Sequence, residues 1–178
     1  NSAKMSLIIS DLLTVSELGL SYKPIDVSKI DLAEKAGETI ERLRGEAKAK
    51  HITVSLKKSG DQSIVIANAL AIRKVLENLI DNAITYSNEN AEVVVEVTGR
   101  GRDVRCSVKD SGIGVPDDEK KFIFEEFFRA KNSVEKKNVG TGLGLFIVKT
   151  IVAGHHGEVS FESKQNEGST FWFTLPKS

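Results

Sequence analysis

The sequence predicts an α/β two-layer sandwich, a mixed sheet packed against three helices and preceded by a fragment of a helix bundle. Three observations lead there. Apolar residues recur at helical spacing in three segments after Pro24. Short β-prone runs alternate with those segments and come as hairpins, so the sheet is mixed rather than all parallel. The opening segment carries a seam suited to packing on other helices.

Composition bounds the rest. The chain has 178 residues, 25 basic and 25 acidic, and 40% are hydrophobic. That suits one or two small domains with a real core and argues against disorder. No run approaches the roughly 18 apolar residues of a membrane span. Zero net charge leaves no global basic footprint for nucleic acid. The single cysteine, Cys106, excludes an internal disulfide framework or a multi-thiolate metal site. A start inside helical pattern suggests a piece of a longer protein.

In chain order, Lys4 to Leu20 reads as a helix whose seam is Met5, Ile8, Leu12 and Val15, widened by Ile9 and Leu13. It is either a core helix of the same domain or the tail of a dimerising bundle. Gly19, Ser21 and Pro24 break it, so the expected division is 1–23 and 24–178. A second helix is expected from about Ser28 to Lys50, with Ser28 as its N-cap and Leu32, Ala36, Ile40, Leu43 and Ala47 buried. Strands His51–Leu56 and Ser63–Ala67 read as a hairpin around Gly60. Ala69–Tyr86 is strongly helical, with Leu70, Val75, Leu76, Leu79, Ile80 and Ala83 toward the core. A hairpin of Glu92–Thr98 and Val104–Lys109 follows. Residues 111–141 lack a period and carry glycines and charges, as a functional lid would. A helix Leu143–Ala153 and a hairpin of Glu158–Ser163 and Ser169–Leu175 close the chain.

Four local features carry chemistry. Asn78 and Asn82, four apart on one helix, project from the same face, and neutral oxygen donors can serve a hard cation such as Mg²⁺. Asp110-Ser111-Gly112-Ile113-Gly114 ends a strand with an acceptor for an amine, beside glycines that let backbone approach a flat ligand. Gly140-Thr141-Gly142-Leu143-Gly144-Leu145 enters a helix and offers free backbone N–H groups to phosphate. No hydrophobic strand precedes it, so it is not a dinucleotide fingerprint, and no Gly-Lys-Ser/Thr makes it a Walker loop. Phe124-Glu125-Glu126-Phe127-Phe128-Arg129 reads as a small helix burying three rings, able to anchor a lid and present Arg129 to phosphate.

Together, in this order and spacing, these residues resemble the catalytic ATP-binding domain of bacterial sensor histidine kinases. That family is shared with DNA gyrase, heat-shock chaperone and mismatch-repair ATPases. Asn78 to Ala83 is similar to its N box, Asp110 to Gly114 to its first glycine box and Phe124 to Arg129 to its F box. Gly140 to Leu145 matches its second glycine box and Gly168-Ser169-Thr170 the last. The opening helix, with Ile9-Ser10-Asp11-Leu12-Leu13, resembles the end of the dimerisation and phosphoacceptor domain.

The resemblance implies a Bergerat-type fold that binds ATP or ADP with Mg²⁺ and transfers the γ-phosphoryl group to a histidine on the dimerisation domain. It implies Asn82 as metal ligand, with Asn78 supporting metal and phosphates. Asp110 would take the adenine amine, with Gly112, Ile113 and Gly114 along the base and Tyr86 along adenine or ribose. Gly140, Thr141, Gly142, Leu143 and Gly144 would close over the phosphates, Thr170 would sit near the base through water, and Arg129 would meet the γ-phosphate. It further implies a homodimeric parent in the cytoplasm, possible anchorage of that parent in the inner membrane, and a response-regulator receiver domain as partner.

Three departures stand out. Thr85 replaces a common lysine near the phosphates, for which Arg73 or Lys131 could substitute. Val139 and His156 replace common glycines. His51, His155 and His156 lack the acceptor context, so the chain reads as a phosphate donor without its acceptor. The rival reading is an ATPase, as in the gyrase-like relatives. Their water-activating glutamate would stand where Asn78 is, and an amide is no general base. Glu77 points about 100° away around the helix. A non-catalytic nucleotide-binding signalling module is the third reading.

Overall fold

The computed structural model describes residues 2–18, 22–60, 62–136 and 140–178. Its elements are helix α1 (Ser2–Leu18), strand β1 (Ser28–Asp31), α2 (Leu32–Ala49), β2 (Thr53–Ser59), β3 (Ile64–Ala67) and α3 (Ala69–Tyr86). There follow β4 (Glu92–Arg100), β5 (Asp103–Asp110), a 3₁₀ turn Lys120–Phe122, α4 (Lys131–Lys136), α5 (Gly144–Gly154), β6 (Glu158–Lys164) and β7 (Gly168–Pro176). Five strands form one sheet in the order β2-β4-β5-β7-β6. Only the β2–β4 pair is parallel. The mixed sheet and the three helices α2, α3 and α5 are as the sequence predicts.

The differences lie where pairing is long-range. Residues 28–31 are not a helical turn but a strand, which pairs antiparallel with β3 in a separate two-stranded sheet. Helix α2 therefore begins at Leu32, and its N-cap is Asp31 rather than Ser28. The Asp31 carboxylate accepts from the backbone N–H of Ala33 at 2.9 Å and of Glu34 at 3.4 Å. The expected hairpin of 51–56 and 63–67 does not form. β2 pairs with β4 and β3 with β1, so the loop around Gly60 connects two sheets.

The inner face of the large sheet presents Val93, Val95 and Val97, Val104, Cys106 and Val108, and Phe173 and Leu175, all buried. They alternate along their strands with exposed or half-buried neighbours, as a one-sided sheet requires. Against them α3 lays Ile72, Val75, Leu76, Leu79, Ile80 and Ala83, and α5 lays Ile147, Val148, Ile151 and Val152. Leu70, expected in this core, is 65% exposed in the first turn of α3.

Helix α1 behaves unlike a core helix. Met5, Ile9, Leu12 and Leu13 are exposed, and among the described side chains of its seam Val15 alone packs against the core. The Ile8 side chain lies outside the described residues. Among the described side chains of α1, the buried one is the carboxylate of Asp11. No helix among the described residues is long and apolar enough to cross a membrane.

Candidate functional site

Helix α3 has two working faces. One is the apolar stripe that enters the core. The other carries Lys74, Asn78, Asn82 and Tyr86, spaced by four, and all four line a single cavity of about 480 Å³. At 1.5 Å rise per residue, Asn78 and Tyr86 stand about 12 Å apart along the helix. The cavity therefore has two ends, and different loops close them.

At the Tyr86 end, β5 delivers Asp110. The carbonyl of Tyr86 accepts from the N–H of Ile113 at 3.3 Å, and Ser87 bridges to Gly112. Gly112 fits because its backbone lies against the Tyr86 carbonyl, where a Cβ would collide. Asp110 is buried, and its Oδ1 accepts from the N–H of Gly112 at 2.8 Å and of Ser169 at 3.3 Å. Both bonds fall on Oδ1, which keeps Oδ2 for a donor arriving from the cavity. Burial pushes the Asp110 pKa up to about 6, against the pull of those two N–H groups and of the Lys136 charge.

At the Asn78 end, the glycine-rich loop enters α5. Gly140, Thr141, Gly142, Gly144 and Leu145 line the cavity. Gly142 has φ +73°, and a Cβ there would lie 2.6 Å from the Phe127 carbonyl carbon. Asn78 Nδ2 is buried without a hydrogen-bond partner. A buried donor left unpaired costs about 1–3 kcal/mol. Asn78 lines the cavity next to Gly144 in the first turn of α5, which also presents N–H groups, so an anionic acceptor bound there would suit both.

Residues 111–136 form an ordered cover. Phe124 packs edge-on to Phe161 and Phe171, with centroids at 5.8 and 6.4 Å, and Phe122 meets Phe128 at 5.6 Å. The expected small helix burying three rings is not formed: residues 123–127 are turns, and Phe127, at φ +60°, is 62% exposed. Arg129 lines the cavity and donates to the Ser133 carbonyl at 3.4 Å. Asn132 Nδ2 donates to the carbonyls of Ile113 and Gly114, while its Oδ1 is buried and unpartnered. Lys136 reaches from α4 to the carbonyls of Tyr86 at 3.0 Å and Ser87 at 2.8 Å, favourably placed at the negative end of α3. Val139 lies outside the described residues.

Most of the expected set converges. Asn78, Asn82, Tyr86, Asp110, Ile113, Gly114, Arg129, Gly140, Thr141, Gly142 and Gly144 all line the cavity. Three do not. Gly112 supports Asp110 from behind, and Leu143 is an N-cap residue buried in the core. Thr170 pairs with Lys109 on the strand face away from the helices, whereas Ser169, paired with Asp110, points in and lines the cavity. Two residues suggested in place of the missing lysine also fall elsewhere. Arg73 turns to Glu77 at 3.6 Å, and Lys131 stands outside beside Glu119. Lys74 is the lysine that lines the cavity, along with the carboxylate of Asp11 from α1.

The profile of the family described as "Histidine kinase-, DNA gyrase B-, and HSP90-like ATPase" matches residues 67–178. The catalytic domain of the histidine kinase ThkA superimposes with a TM-score of 0.74 at 30% identity, covering 86% of this chain and 97% of that domain. The chain belongs to this family, as a histidine kinase catalytic domain. Full-length ShkA in complex with AMPPNP has a TM-score of 0.85 at 28% identity, over 98% of this chain and 36% of that one. The sensor-like histidine kinase SenX3 of Mycolicibacterium smegmatis is 29% identical over 176 residues, which cover 99% of this chain and 46% of SenX3. The chain thus spans about half the length of that relative.

Proposed function

We propose that this domain binds ATP with Mg²⁺ and donates the γ-phosphoryl group to a histidine on a dimerisation helix, from which a receiver domain takes it. The division near residue 24, with α1 as the end of that dimerisation domain, is part of the same reading. The observation that carries it is the polarity of one cavity, with a buried carboxylate acceptor at one end and an unpaired buried amide beside a helix N-terminus at the other.

Adenine fits the first end. Its amine donates to Asp110, Ser169 supports the carboxylate, and Tyr86 flanks the base. Phosphates fit the second, where Asn78 Nδ2, the first N–H groups of α5, the Thr141 hydroxyl and Arg129 can neutralise charge. The residues also fit Mg²⁺. Among the described residues no group of three His, Cys, Asp or Glu side chains could cage a metal. Asn82, with Asn78 one turn away, supplies the one or two protein oxygens that Mg²⁺ takes when phosphates and water provide the others. Bound there, Mg²⁺ would offset charge on the transferring group.

Phosphotransfer suits these residues better than hydrolysis. Glu77 lies at the cavity wall but is engaged by Arg42 at 3.4 Å and Arg73 at 3.6 Å. The histidines are no acceptors. His51 and His156 sit in turns at positive φ. His155 is buried, with Nδ1 against the Ile151 carbonyl and Nε2 accepting from the Asn68 N–H.

Calorimetric titration of the chain with Mg·ATP tests the binding, with one-to-one stoichiometry expected and lost in Asp110→Ala or Asn82→Ala. Unchanged affinity in both variants would refute the site. Incubation with labelled ATP should leave the chain itself unlabelled. A histidine-bearing dimerisation helix supplied in trans should gain acid-labile, base-stable phosphate, and label on His155 would refute the donor reading.

A further inference from the structure

Among the described side chains of α1, Asp11 is the one that makes polar contacts beyond its own helix. Asp11 Oδ2 accepts from the Thr141 hydroxyl at 2.6 Å, and Asp11 Oδ1 pairs with Lys74 Nζ at 3.4 Å. The Asp11 side chain is only 7% exposed, and all three residues line the cavity. Thr141 belongs to the glycine-rich loop, where its Oγ1 also accepts from the Leu143 N–H at 3.2 Å. Lys74 stands one helical turn before Asn78, at the end of the cavity away from Asp110. Meanwhile Met5, Ile9, Leu12 and Leu13 remain in water. A helix that leaves these apolar side chains exposed and buries a carboxylate relies in part on polar contacts that another anion can replace.

We propose that Lys74 is the lysine of this domain that binds the outermost phosphate of the nucleotide, and that Asp11 holds it in the nucleotide-free state. Docked α1 and the γ-phosphate then exclude one another. This rests on the reading of the cavity as an ATP site.

The electrostatics work in one direction. The cavity wall also carries the carboxylates of Glu46, Glu77 and Asp81, and the cations that line it are Lys74 and Arg129. With Asp11 in place, a carboxylate sits where phosphate charge would accumulate, and both the Lys74 ammonium and the Thr141 hydroxyl proton are committed to it. An arriving γ-phosphate brings more charge and more acceptor oxygens than one carboxylate, takes both donors and expels Asp11 by like-charge repulsion. ADP ends one phosphate short and has no such claim. The consequence is a domain in which ATP, but not ADP, releases the preceding helix.

The test compares Mg·ADP with the Mg²⁺ complex of a non-hydrolysable ATP analogue on the full chain, by calorimetry, with amide exchange of α1 as a second readout. Asp11→Asn should tighten the triphosphate several-fold and leave ADP within about twofold. Lys74→Met should weaken the triphosphate by about tenfold, the worth of one charge-assisted contact, with ADP much less affected. Lys74→Arg should restore most of that loss, which a purely structural role would not predict. In the wild type, exchange in α1 should speed up with the triphosphate and not with ADP. Equal effects of Lys74→Met on both nucleotides, or a triphosphate-to-diphosphate affinity ratio unmoved by Asp11→Asn, would overturn the proposal while leaving the ATP site intact. Failure of ADP to bind the wild type would instead overturn the nucleotide reading, and this proposal with it.

Discussion

Nucleotide affinity should fall steeply with acidification, and one side chain sets where. Asp110 must be a carboxylate to accept from the adenine amine, yet burial raises its pKa to about 6 in the nucleotide-free domain. At pH 7.5 it is almost wholly ionised. At pH 5.5 about a quarter of molecules carry the charge, and the apparent dissociation constant rises about fourfold; at pH 5.0 it rises about elevenfold. Stability moves the other way. The folded pKa lies above the unfolded value of 3.8, so the folded state binds the proton more tightly. Asp110 then contributes stability that is full below about pH 4 and lost as pH rises through about 6. A shift of two units corresponds to about 3 kcal/mol. Asp110→Asn keeps an acceptor for the Gly112 and Ser169 N–H groups and removes the buried charge. It should raise apo stability at pH 7.5 by about 1–3 kcal/mol and abolish tight adenine binding. The assay is titration with ADP between pH 5 and 8, beside urea unfolding of both proteins. Asp110→Asn retains the titration of the nucleotide's own phosphates and of every other side chain, so the difference between the two profiles isolates Asp110. A wild-type profile parallel to that of the variant, or a variant less stable than wild type at pH 7.5, would refute the reasoning.

Three further outcomes are expected. Ser169→Val should weaken ADP binding by about tenfold and Thr170→Val by less than twofold, since strand alternation turns Thr170 away from the cavity; calorimetry reads both. Gly142→Ala should cost about 1–2 kcal/mol in urea unfolding from the positive φ alone and more from contact with the Phe127 backbone, and should weaken triphosphate more than adenosine. The pKa of His155 is lowered, first by burial. Its neutral ring therefore contributes stability present above pH 6.5 and lost as pH falls through the folded value. His155→Ala should remove that acid sensitivity from the unfolding profile and cost about 1–3 kcal/mol at neutral pH, because the Asn68 N–H loses its acceptor.

Local signals in the sequence decided α3 and most of the site. Alternation of apolar positions with Asn78 and Asn82 specifies both faces of that helix at once, and a strand ending in Asp110-Ser111-Gly112 can turn only where a glycine lies close to backbone. What stayed hidden depends on residues far apart in the chain. β1 is a strand because residues 64–67 pair with it, and nothing in Ser28–Asp31 announces that partner. The Ser169–Thr170 ambiguity is one of register, which the pairing of Ser169 with Asp110 resolves. Period-two alternation from Phe173 and Leu175 would have put Ser169 inside, had the strand been read as one-sided. Lys74 had a legible signal, one turn before Asn78 and two before Asn82, but the role proposed for it needs Asp11, 63 residues before it, and Thr141, 130 residues after Asp11. The same holds for Asn132, in a stretch without period, whose place against Ile113 and Gly114 comes from the folded cover alone. Helix propensity and motif spacing thus locate the groups proposed to meet adenine and metal, because those groups sit on single elements. The groups that tie the nucleotide site to α1 come from three elements, and only the packed structure brings their charges within reach of one another.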